Sequence, residues 1–160
     1  MARVPGSFQR ATGPGAAAPV CRTFPEAAAQ TFVAGDLVIR SAGKVAIHAG
    51  GTNVPILGIA RQNASGVTSA RVLVELIDGQ AEYQANFRAA DTFVEGTDNV
   101  VRYGTVKTGA GNWEVDKSEV TTLQVVVLDT EEKTPDGRVA AVAGGSIRVH
   151  FLNAVPEIGN

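Results

Sequence analysis

Few side chains in this sequence have the types and spacing that chemistry requires. Cys21 is the only cysteine among 160 residues, so no disulfide can close within the chain. It sits between Val20 and Arg22, far in sequence from either histidine, and reads as a bystander thiol. His48 and His150 both fall on predicted outward faces of strands. A metal site needs three or four ligands, and there is no third histidine or second cysteine to complete one. Asp91, Glu95 and Asp98 form an acidic group without the Asp/Asn rhythm, glycine and terminal glutamate of a calcium loop. Ser41-Ala42-Gly43-Lys44 has the Ser-x-x-Lys spacing of a nucleophile pair, but the companion elements are missing and the stretch spans a predicted turn. As a phosphate loop, Gly43-Lys44 fails because Val38 and Val45 stand where a glycine and a hydroxyl residue are required. Asn63-Ala64-Ser65 matches a glycosylation sequon, which has no meaning without a secretory route. Trp113 has strand spacing and reads as packing. No catalytic, metal-binding or cofactor-binding residue is assigned, and no cofactor is expected.

The remaining chemistry is three arginines in an unusual segment. Met1 to Thr31 carries Gly6, Gly13, Gly15, Pro5, Pro14, Pro19, Pro25 and the run Ala16-Ala17-Ala18. It also carries Arg3, Arg10 and Arg22, with no acid before Glu26. So few large apolar residues bury too little surface to order a segment alone, and a partner is expected to order it. The chain divides accordingly into an extended N-terminal arm, residues 1–31, and a body, residues 32–160. The first 25 residues hold three arginines and no acid, whereas everything after them holds eleven Lys/Arg and all 16 Asp/Glu. That balance argues against nucleic acid, which needs clustered cations. Met1 to Val20 lacks the apolar stretch of a secretory signal, and no run approaches the roughly 18 apolar residues of a membrane span. A protein made in a cytoplasm, without membrane contact, is expected.

The elements that position these residues are strands. Thr23 to Phe32 could be one helical turn with Pro25 at its first position, or extended chain. From Asp36 the period is two. Asp36–Arg40 and Lys44–His48 form a hairpin, with Asp36, Arg40, Lys44 and His48 outward. The run 56–60 (ILGIA) suits a strand buried on both faces, and Gly58 implies a bulge or a close neighbour. Arg71–Ile77 turns Arg71 and Glu75 outward, and Asp78-Gly79 is the strongest hairpin signal, returning along Ala81–Phe87. Val100–Thr108 and Asn112–Val115 make a further hairpin. Thr121–Thr130 is the longest apolar strand, a short strand is expected at 138–142, and Ser146–Leu152 closes the body. About nine strands without a convincing long helix predict an all-β fold, a small antiparallel β-barrel or sandwich with an extended N-terminal arm.

Phe32-Val33-Ala34-Gly35-Asp36-Leu37-Val38, Gly43-Lys44-Val45, Ile56-Leu57-Gly58-Ile59-Ala60 and Arg71-Val72-Leu73-Val74, in this order, resemble tailed-bacteriophage head decoration proteins, also called capsid cement proteins. The lead-in Thr23-Phe24-Pro25-Glu26-Ala27-Ala28-Ala29 is similar to theirs, and the likeness spans a third to a half of the chain. It implies a structural virion protein, not an enzyme, made in the bacterial host cytoplasm and docked on the outer surface of the capsid. There it would stabilise joints between major capsid proteins. Its partners would be the major capsid protein and other copies of itself, as a dimer or trimer. Phe8, Val20 and Phe24 would be apolar anchors of the arm, and Arg3, Arg10 and Arg22 would pair with carboxylates. The alternative is a virion surface module binding host or carbohydrate. It requires Trp113, Tyr83 and Tyr103 to converge outside the core.

Overall fold

The computed structural model describes residues 8–11, 18–50, 54–130, 134–136, 138, 140 and 142–152. The fold is all-β, with no helix among the described residues. Among the described residues, eleven strands make two antiparallel sheets. The first comprises β1 (Gln9–Arg10), β7 (Tyr83–Asn86), β8 (Val101–Gly109), β9 (Asn112–Asp116), β10 (Val125–Thr130) and β11 (Ser146–Phe151). Its order is β1-β7-β11-β10-β8-β9. The second comprises β2 (Cys21–Pro25), β3 (Leu37–Ser41), β4 (Lys44–Ile47), β5 (Ile56–Ala60) and β6 (Arg71–Leu76), in the order β2-β6-β5-β3-β4.

Each sheet curls so that strands far apart in its order meet. Phe87, just past β7, bridges Val115 on β9 in parallel, and Glu26, just past β2, bridges Val45 on β4 the same way. Such closure shortens the free edges that would otherwise template aggregation. The two sheets share a core rich in aromatic residues, to which the second sheet contributes Leu37, Ile56 and Ile59, joined by Ile77 just past β6. A second core of Val38, Val45, Leu57, Ala60, Val72 and Val74 lies on the other face of the second sheet under Phe32. β5 serves both cores and is buried along its whole length. It does so through a bulge: the register against β3 shifts between Val38 and Ile39, so Ile56 and Ile59 reach one core and Leu57 and Ala60 the other. Gly58 is also the close neighbour foreseen, since a Cβ there would lie 2.1 Å from the Glu75 carbonyl oxygen.

The β3–β4 hairpin turns through Ala42 and Gly43, both with positive φ (47° and 78°), as a two-residue turn needs. Ser41 and Lys44 are simply paired across it.

Three expectations are corrected, and one left open is decided. Asp78-Gly79 does not join a hairpin: β6 is already flanked by β5 and β2, and β7 by β11 and β1, so neither has an edge for the other. The chain turns a corner between sheets there, with Ala81 N–H donating to Asp78 O at 3.1 Å. Of the two readings open for the segment from Thr23, the extended one holds: Cys21–Pro25 pairs antiparallel with β6. Pro25 is tolerated because Leu76 N–H to Val20 O and Glu26 N–H to Ala70 O set the even-numbered residues of β2 against β6. Pro25 therefore turns its nitrogen away from the ladder, as an edge strand allows. Asp36, His48 and Glu75 do not point outward and are 0%, 1% and 1% exposed, because the second sheet is covered on both faces. Finally, residues 8–11 and 20–27 are not an arm awaiting a partner. β1 pairs with β7, β2 pairs with β6, and Phe8 is 1% exposed within the shared core. The strand expected at 138–142 falls partly outside the described residues.

Candidate functional site

Polar side chains converge where the two sheets meet. Asp36, at the head of β3, accepts from Trp113 Nε1 at 3.0 Å and Gly111 N at 3.1 Å on one oxygen. The other oxygen accepts from Lys107 Nζ at 2.7 Å and Val33 N at 2.9 Å. This buried carboxylate thus ties the β8–β9 hairpin to the second sheet, with its charge met by Lys107. Two glycines make the approach possible. A Cβ at Gly111 would stand 2.4 Å from Ala34 O, and one at Gly35, where φ is +97°, 2.7 Å from Gly111 O. Asp36 is a residue that strand alternation misassigned. The signals that could have found it are the glycine beside it and an indole N–H elsewhere that needs a buried acceptor.

His48 lies at the same junction. Its ring stacks on Trp113 at 5.3 Å, and its Nε2 is 2.8 Å from Gln124 Nε2. Gln124 Oε1 accepts from both Thr105 N and Thr105 Oγ1 at 2.8 Å. Burial holds the imidazole below its ordinary proton affinity.

Other buried acids act as local clasps. Glu26 accepts from Ser65 N at 2.8 Å, Ser65 Oγ at 3.0 Å and Gly66 N at 2.7 Å, fixing the loop after β5. Glu75 takes Arg61 Nε and Nη2 on one oxygen, and its Oε1 has no partner among the described residues. The group Asp91, Glu95 and Asp98 is not gathered around a common point. Asp98 is buried and accepts from Tyr103 Oη at 2.6 Å, Lys117 Nζ at 2.8 Å and Val94 N at 2.7 Å. Burial pushes its carboxyl up, but those hydrogen bonds and the lysine charge outweigh it and leave the group below the usual carboxylate range. Burial, followed by the bond to Asp98, raises the Tyr103 phenol. Asp91 receives Lys117 N at 3.2 Å, while Glu95 is exposed. Among the described residues no group of three or more His, Cys, Asp or Glu is arranged to hold a metal ion.

The six arm residues do not act as one set. Arg3 lies outside the described residues. Phe8 packs on Phe151 at 4.8 Å and is a core residue, which corrects its assignment as an anchor for a partner. Arg10 faces Asp78 at 3.3 Å, a carboxylate of its own chain. Phe24 packs half-buried against the second core. Val20, 48% exposed, and Arg22 stay at the surface beside the exposed Cys21. Here β2 presents an edge: with the even-numbered residues bonded to β6, the backbone groups of Cys21 and Thr23 turn outward. Trp113, Tyr83 and Tyr103 are 0%, 0% and 7% exposed and do not converge at the surface. Compared with known proteins, the chain matches no family model and no curated protein.

Proposed function

We propose that the chain is a structural virion protein, a capsid decoration or cement subunit that binds the outer surface of an assembled phage head at joints between major capsid proteins. The observation that carries this reading is the use of Asp36. The acid of the Ala34-Gly35-Asp36 stretch, on which the resemblance rests, commits both oxygens to four donors of its own chain. Its chemistry locks a body together, as a protein that reinforces a shell requires. A ligand that binds only the assembled shell stabilises it by mass action, and many copies gain from effective concentration.

The contact proposed here is narrower than a whole arm. Phe8 and Arg10 serve the body, and the docking element is the stretch 20–23, whose outward backbone groups can add to a neighbour's strand. Copies of the same chain, as a dimer or trimer, would share the lattice. The binding-module alternative loses its support, because the three aromatic residues it needs are buried.

The test is to mix the full chain with empty expanded heads assembled from the major capsid protein of the same phage, sediment them, and heat the shells. Retention on the heads and a higher shell-disruption temperature are expected. The paired change of Val20→Asp and Arg22→Glu should reduce retention at least tenfold without altering the fold. Absence of the unaltered protein from sedimented heads would overturn the reading.

A further inference from the structure

We propose that His48 is an acid-released latch between the two sheets: it holds the junction only while its ring is neutral, and protonation breaks the Thr105–Gln124–His48 chain. Thr105 fixes the orientation of the Gln124 amide. Its backbone N–H can only donate, so the Gln124 atom facing it at 2.8 Å must be the oxygen. The amide nitrogen is therefore the atom turned to His48, 2.8 Å from Nε2. An amide nitrogen can only donate, so Nε2 must accept, and the ring proton resides on Nδ1. Nδ1 is buried and has no partner among the described residues. A second proton on Nε2 would set two donors against each other at hydrogen-bond distance. Turning the amide to relieve this would leave Thr105 N–H and its hydroxyl facing an NH2 group.

The charged groups of the surrounding elements do not rescue the imidazolium. On β3, Asp36 bonds the edge of Trp113, but Lys107 of β8 already sits on it at 2.7 Å. On β9, Glu114 and Asp116 alternate with Trp113 and face the other way. On β4, Lys44 shares the face of His48 two pleats back and would repel a second cation. The segment leading into β10 carries Glu119, which is engaged with Thr121 and Thr122. Desolvation acts in the same direction, lowering the ring from its ordinary 6.5. The unfolded chain binds this proton more readily than the folded one, so the contribution is complete above about pH 6.5 and declines as pH falls toward the folded value.

The test uses the full chain. Side-chain nitrogen NMR at pH 7.5 should show His48 with Nδ1 protonated and Nε2 bare. Urea unfolding at pH 7.5, 6.5, 5.5 and 5.0 should show the folding constant dropping by up to about tenfold per pH unit below 6.5. His48→Gln keeps an acceptor for the Gln124 amide but does not titrate, and should show a distinctly smaller drop. An equal drop in both proteins, or a proton on Nε2 at pH 7.5, overturns the latch. If the variant fails to fold, the NMR tautomer and its titration in the unaltered protein decide alone.

Discussion

In the first sheet, β10 and β11 largely alternate buried with more exposed residues, whereas β5 in the second sheet buries all five. Over β10 and β11 the first sheet has one dry face, although β9 buries Glu114 and Asp116 along with Trp113 and Val115. The second sheet has a core on each face, and Asp36 and Glu75 are buried on strands or strand ends between those cores. The N-terminal segment is split by the same difference. Where it meets the first sheet, Phe8 enters the shared core; where it meets the second, both faces are already filled and β2 is left as a rim. One compositionally uniform stretch thus supplies a core anchor and an exposed edge, and what each becomes depends on the sheet that receives it.

The largest expected effect breaks the first half of that comparison. Phe8→Ala removes a ring packed on Phe151 and reached by only two residues of strand pairing. It should destabilise the protein by about 3–5 kcal/mol, read as a lower urea midpoint. A loss under about 1 kcal/mol would mean that residues 8–11 are an appendage after all. The second sheet is probed by Gly58→Ala. A methyl there meets Glu75 O at 2.1 Å and Val74 Cγ1 at 2.6 Å, on a strand with no free side to move toward. About 3 kcal/mol of destabilisation is expected by the same measurement.

A smaller effect sharpens the contrast through pH. Asp98, beside the first sheet, and Asp116 on β9 both sit below the usual carboxylate range; for each, burial opposes the shift and hydrogen bonds to the charged form prevail. Their contribution to stability is present above about pH 4 and is lost as pH falls through the folded values. Asp98→Asn should cost about 2 kcal/mol at pH 7. Its stability should fall less steeply than that of the unaltered protein below pH 4, so that the two acid-unfolding curves converge.

Strands β7 and β11 were readable because alternation there largely reports one wet face: Tyr83, Ala85 and Phe87 all reach the shared core, as do Ile147, Val149 and Phe151. In the run 56–60 the continuous apolar pattern and its glycine also read true. Alternation failed at Asp36, His48 and Glu75 because it assigns any polar residue to water, and the partners that admit these three come from distant parts of the chain: Trp113, Gln124 and Arg61. Asp78-Gly79 misled for a related reason. A turn residue fixes local geometry, but whether two strands pair depends on which edges other strands have already taken. Composition misled at Phe8, since a segment poor in large residues needs only one aromatic side chain and a vacant edge to be held.

The smallest expected effect on stability is the most specific for the edge. Thr23 lies on β2 between residues that bond β6, so its own N–H points away from the sheet. Pro25, two residues on, already occupies the equivalent outward position. Thr23→Pro therefore removes no ladder hydrogen bond and should change stability by less than about 1 kcal/mol. It does remove the donor that an added strand would use, and its ring stands in that strand's path. If the 20–23 edge docks by strand addition, this variant should melt like the unaltered protein and yet be lost from sedimented heads. Retention on heads at the unaltered level would confine docking to side chains such as Val20 and Arg22. A large loss of stability would instead mean that the outward groups of β2 are engaged within the chain, and the contrast between a buried anchor and an open rim would dissolve.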